Sequence, residues 1–82
     1  ELDPSYAEAR VNLGLILNQQ GKFDAAINEF KQAIRSDPKL AAAQFNLGVT
    51  LQAQGQLEAA IAAYRAAISI DPNNAEANYN LG

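Results

Sequence analysis

Apolar positions along the chain recur at helical spacing, and nothing alternates with period two over a useful length. Ile27, Phe30 and Ile34 follow one another at intervals of three and four within a helix expected over Asp24–Ser36. Val11, Leu13, Leu15, Ile16 and Leu17 mark an earlier helix over Ala7–Gln20. The same two patterns return over Ala41–Gln54 and Glu58–Ile70. Alanine is abundant throughout and favours helix. The chain is therefore all-α.

The patterns return because the sequence repeats every 34 residues. Aligning 7–40 on 41–74 leaves fifteen of the 34 positions identical without a gap. Asp3-Pro4 recurs as Asp37-Pro38 and Asp71-Pro72, and Leu13-Gly14 recurs as Leu47-Gly48 and Leu81-Gly82. A fixed period of this length marks a stacked-repeat architecture, whose usual product is an extended binding surface. The division is 1–6 as the end of a preceding repeat or linker, 7–40 as repeat one, 41–74 as repeat two and 75–82 as the opening of a third first helix. No polar end cap is visible, so the chain is expected to be a segment of a longer array. Alone, it is expected to be marginally stable or to self-associate through exposed repeat ends.

Punctuation supports the same units. Gly21 and Gly55 sit where a first helix ends in a left-handed conformation. Pro38 and Pro72 stop the second helices, since proline lacks the N–H donor and restricts the residue before it. Ser5 with Glu8, and Asn73 with Glu76, have the spacing of a capping box; the middle boundary, with Lys39 and Ala42, does not. Loops of a few residues make the helices of each pair antiparallel. Gly14 and Gly48 lie inside first helices, where glycine costs about 1 kcal/mol against alanine. A cost that repeats implies a packing benefit, expected as a close approach of Gly14 to Ala26 and of Gly48 to Ala60. Phe30 and Tyr64, with Leu17 and Leu51, would fill the wider part of the wedge, with Ala33 and Ala67 as small contacts toward the next repeat. Leu13 joins Leu17 in the expected core.

Composition narrows the function. The chain has 82 residues, no cysteine and no histidine. Disulfides, thiolate metal sites and histidine-based acid–base chemistry are thereby excluded. Ser5, Ser36 and Ser69 have no base partner, the recurring aspartates belong to repeat boundaries, and no glycine-rich phosphate loop exists. Catalysis is not expected, and no cofactor or metal is implied. Net charge is −3, and the six basic residues are scattered rather than gathered into a stripe, so nucleic acid is not an expected partner. No apolar run approaches the roughly 20 residues of a membrane span. Lack of cysteine suits a reducing compartment, and a cytoplasmic setting is expected.

Period, helix pairs and the series Leu-Gly, Gly, Ala, aromatic, Ala, Asp-Pro together resemble the tetratricopeptide repeat. In repeat one the series is Leu13-Gly14, Gly21, Ala26, Phe30, Ala33 and Asp37-Pro38. In repeat two it is Leu47-Gly48, Gly55, Ala60, Tyr64, Ala67 and Asp71-Pro72. The family's early tryptophan is replaced by Arg10, Gln44 and Asn78, and its aromatic one turn later by Leu17 and Leu51. The resemblance implies a right-handed α-solenoid of stacked antiparallel helix pairs. Its first helices would line a concave groove that receives a peptide or a partner's helix.

Under that implication, repeat one offers Glu8, Val11, Asn12, Leu15, Asn18 and Gln19 to a ligand. Repeat two offers Ala42, Phe45, Asn46, Val49, Gln52 and Ala53; beyond it stand Glu76, Tyr79 and Asn80. Val11, Leu15, Phe45, Val49 and Tyr79 form an apolar stripe, expected to be partly exposed. Asn12, Asn46 and Asn80 recur once per repeat. A primary amide both donates and accepts, so each can hold a peptide unit by its backbone. With helix pairs roughly 8–10 Å apart and an extended chain advancing about 3.3 Å per residue, that means about every third ligand residue. Glu8 and Glu76 would favour basic flanks. The acidic-tail clamp that some members of the family use on chaperones is not matched. With 7–40 taken as its first repeat, only Asn46 fits, while Val11 and Glu76 replace lysines, Asn80 an arginine and Leu15 an asparagine.

Three functions remain. The leading one is a non-catalytic protein-binding scaffold or adaptor. A second is the substrate-recognition arm of a larger enzyme, since the recurring asparagine and the Leu-Gly and Gln-Gly phrases are similar to the arm of O-linked N-acetylglucosamine transferases. The third is head-to-tail self-assembly through open repeat ends.

Overall fold

A computed structural model describes residues 4–72, with side chains from Tyr6 onward. Four helices follow one another: α1 (Pro4–Gln19), α2 (Phe23–Ser36), α3 (Ala41–Ala53) and α4 (Leu57–Ile70). No strand occurs among the described residues. The Ser5–Glu8 capping box does not have the expected role. Helix α1 already begins at Pro4, so Ser5 lies inside its first turn. Proline is at home there because its missing N–H would have no helical partner. Asn73 and Glu76 lie outside the described residues. Helices α2, α3 and α4 start without any side-chain cap.

Both first helices end in the same closure. Gly21 and Gly55 have φ of 78° and 81°. This left-handed turn lets Gly21 N–H donate to Asn18 C=O at 3.0 Å and Lys22 N–H to Leu17 C=O at 2.9 Å. Gly55 and Gln56 donate to Asn18's and Leu17's counterparts, Gln52 and Leu51, both at 2.9 Å. Two orphan carbonyls at each helix end are satisfied by this Schellman arrangement. The chain reverses within a few residues, which sets α2 antiparallel to α1 and α4 antiparallel to α3. Between the pairs, Lys39 N–H donates to Asp37 Oδ1 at 3.1 Å and Leu40 N–H to Asp37 C=O at 3.1 Å. The Asp-Pro phrase is thus a structural turn.

The core runs along the middle of the stack. It contains Ala26, Phe30, Ala33, Leu47, Leu51, Ala60, Tyr64 and Ala67, all buried. Gly14 and Gly48 meet aromatic rings more closely than the alanines expected. A Cβ placed on Gly14 would lie 2.5 Å from Phe30 Cε1. One on Gly48 would lie 2.8 Å from Tyr64 Cδ1 and 3.2 Å from the Ala60 carbonyl oxygen. Each ring lies close against a helix backbone that no side chain shields, so Phe30 and Tyr64 fill the narrow part of the wedge. Leu13, expected in the core, is exposed, whereas its counterpart Leu47 is buried. Helix α2 covers the face of α3 that carries Leu47; the same face of α1 has no helix over it among the described residues.

Candidate peptide-binding groove

Helices α1 and α3 lie side by side as the two first helices of the stack. Between them is an open pocket of about 260 Å³ lined by Glu8, Val11, Asn12, Leu40 and Ala42. Four of these five belong to the set read from the sequence. Leu40 does not; its signal is a lone apolar residue in the polar stretch between Pro38 and α3. Val11 was expected in the exposed stripe but is buried, because α3 comes up against it from the side. Leu15, Phe45 and Val49 are half-buried and pack on the core, the partial exposure expected of the stripe. Tyr79, Asn80 and Glu76 lie outside the described residues.

The asparagines differ in what they hold. Asn12 is exposed at the pocket rim. Asn46 donates Nδ2–H to the Ala42 carbonyl of its own helix at 2.9 Å. That bond fixes the amide's orientation and uses one of its two donor hydrogens. Glu8 is exposed and, among the described residues, is the one charged group lining the pocket. The ion pair of Arg10 Nη1 with Glu29 Oε1, 2.9 Å, joins α1 to α2 and lies outside this lining.

Gln52, read as a groove position, bonds within its helix pair. Gln52 Oε1 accepts a hydrogen bond from the Tyr64 hydroxyl at 2.7 Å. Burial of that ring raises the phenol pKa above its ordinary 10.0. Asn18 is the counterpart of Gln52, but Phe30, the counterpart of Tyr64, has no hydroxyl, and Asn18 Oδ1 is buried without a hydrogen-bond partner among the described residues. Gln19 and Ala53 are exposed near the helix ends and do not reach the pocket. Phe45 packs at a tilt against Tyr64, ring centroids 5.8 Å apart.

Comparison with known proteins settles the family. A profile described as tetratricopeptide repeat matches residues 1–30, 14–75 and 50–82, which spans the chain. The chain belongs to the tetratricopeptide repeat family. Among solved structures, that of MamA superposes with a TM-score of 0.91 at 32% identity, covering 96% of this chain and 46% of MamA. This chain therefore spans less than half of that relative. The first tetratricopeptide domain of Spaghetti (RPAP3), bound to the HSP90 peptide SRMEEVD, aligns with a TM-score of 0.51 at 21% identity over 98% of this chain and 90% of its own, a likeness of fold. No curated protein sequence matches. The all-α repeat fold expected from the 34-residue period is thus the fold of the family. Among the described residues, no helix is long and apolar enough to cross a membrane. No cluster of acidic side chains among them is placed to hold a metal ion.

Proposed function

We propose that this chain is a non-catalytic interaction module that holds an extended peptide or a partner's helix against α1 and α3. The observation that carries the reading is the pocket between those helices, with Val11 and Leu40 as apolar lining and Asn12 and Glu8 at its edge. It supplies what peptide recognition needs: a dry contact for one side chain, an amide for the backbone and a charge that selects the flank. Membership of a family whose proteins are generally interaction modules supports it, as does the peptide bound by the Spaghetti (RPAP3) domain. That peptide is acidic toward its end. Here Glu8 would repel such a tail, so the preferred ligand carries apolar residues with neutral or basic neighbours.

Selection from a displayed random-peptide library tests the reading. The expected result is enrichment of apolar sequences with lysine or arginine nearby. Glu8→Lys and Asn12→Ala should each weaken a selected peptide by about tenfold, close to one charge-assisted hydrogen bond. Arg65→Ala, on exposed α4, should leave binding unchanged. No enrichment, or equal loss from Arg65→Ala, would refute the groove as the site.

A further inference from the structure

The pocket between α1 and α3 has two chemically different sides. Val11 is buried at its floor, and Leu40 and Ala42 close it from the α3 side. Glu8 and Asn12 stand four residues apart on α1, so their polar ends are neighbours along one edge. Both are exposed. Three carboxylates elsewhere are already engaged. Glu29 holds Arg10 Nη1 at 2.9 Å. Asp24 accepts from Gln54 Nε2 at 3.0 Å, and Asp37 accepts from the Lys39 N–H at 3.1 Å. The Glu8 carboxylate has no ion-pair or hydrogen-bond partner among the described residues. Arg10, the nearest cation in sequence, is the one that Glu29 holds.

An occupant of the pocket must suit both sides. An aliphatic side chain would cover Val11 and Leu40 but strip water from the Glu8 carboxylate without replacing its hydrogen bonds. An acidic side chain would be repelled. A long side chain with a cationic head meets both demands. Its stem lies on Val11, Leu40 and Ala42, and its head donates to the Glu8 carboxylate and the Asn12 amide oxygen. One effect opposes this. Helix α3 begins at Ala41, and its N-terminus lends this end of the pocket about half a positive charge. The full charge on Glu8 outweighs it. The first turn of α1 ends before Glu8, and the dipole effect falls off within that turn.

We infer that this pocket binds a lysine or arginine side chain of the ligand, and that neutralising the head, as acetylation does to lysine, removes the preference. The inference rests on the groove reading and narrows it: the basic residue is the pocket's own occupant, not a neighbour of that occupant. One repeat on, Ala42 and Phe45 stand where Glu8 and Val11 do. Neither carries a charge, so these register positions make a cation reader once among the described residues. A single reader fixes where the ligand's basic residue sits along the groove.

Retention of capped peptide pools on the full chain tests the inference. The pools are random in all residues but lysine and arginine, apart from a fixed central position that is lysine, arginine, norleucine or N-acetyl-lysine. Norleucine keeps the stem and lacks the charge. The lysine and arginine pools should be retained about fivefold more strongly than the other two, the upper end for an ion pair in contact with water. The advantage should fade as salt rises. It should vanish in Glu8→Gln, an exposed change close in size. Norleucine retained as well as lysine overturns the inference, and so does a lysine preference that survives Glu8→Gln. In either case peptides still bind, and the groove reading stands. If no pool is retained, the two fail together.

Discussion

Replacing Gly48 by alanine sets two effects of opposite sign against each other, and the structure decides between them. Alanine in a helix interior is favoured over glycine by about 1 kcal/mol. Against this, the new Cβ would stand 2.8 Å from two atoms of the Tyr64 ring and 3.2 Å from the Ala60 carbonyl. Something must move. Tyr64 is almost wholly buried, its hydroxyl is tied to Gln52 at 2.7 Å and its face is held by Phe45. Shifting the ring breaks that bond and opens the core, and shifting the backbone separates α3 from α4. Overpacking of this kind costs about 1–3 kcal/mol, and with both the ring and the carbonyl in the way the upper end applies, so the net effect is a loss of up to about 2 kcal/mol. In a domain this small that lowers Tm by about 4–8 °C per kcal/mol. Thermal and urea unfolding followed by circular dichroism would measure it. Gly55→Ala is the control. It has open space but φ of 81°, so its cost of about 1–2 kcal/mol is conformational alone. In a Tyr64→Leu background, Gly48→Ala should become neutral or stabilising while Gly55→Ala is unaffected. Gly48→Leu, with more to accommodate, should unfold the chain. A Gly48→Ala protein with unchanged or raised Tm, or no coupling to Tyr64, would refute the argument that ring against backbone sets the approach of the helices.

Two further outcomes follow from the same ring. Its raised pKa means that the folded state favours the neutral phenol. The stabilisation is therefore complete below the unfolded value near 10.0 and is lost as pH rises through the higher folded value. Alkaline unfolding should begin at lower pH in the parent than in Tyr64→Phe, as read from ellipticity against pH; coincident curves would contradict the burial effect. Repeat one lacks the hydroxyl and leaves Asn18 Oδ1 unpartnered, so Phe30→Tyr combined with Asn18→Gln should install the missing bond and gain about 1 kcal/mol. The gain should exceed the sum of the two single changes in a double-mutant cycle, and strict additivity would show that no bond forms.

The repeat, the four helices and the glycine turns were legible because each rests on a local rule. A helix period, a left-handed glycine and a proline stop are written in adjacent residues. What could not be read depends on partners distant in sequence. Leu13 and Leu47 are the same residue in the same phrase, yet only Leu47 has a helix over it. Val11 and Phe45 occupy one register position, but Val11 is short enough for α3 to close over. The unpartnered oxygen of Asn18 follows from a Phe-for-Tyr exchange twelve residues away, which has meaning only once the two helices are known to touch. Of the pocket lining, Glu8, Val11, Asn12 and Ala42 were legible by repeat position but Leu40 was not, since loop residues follow no period. The local bond of Asn46 to Ala42 was likewise invisible to a reading by repeat position.

The tilted contact between Phe45 and Tyr64 makes the chain its own optical probe. There is no tryptophan to mask tyrosine emission. Phe45 is half-buried on α3 with its ring tilted against the phenol, and the phenol's hydroxyl donates to Gln52. Any occupant that displaces Phe45 alters the surroundings of that fluorophore, so occupancy registers as a change in ultraviolet emission without a dye, a tag or an added chromophore.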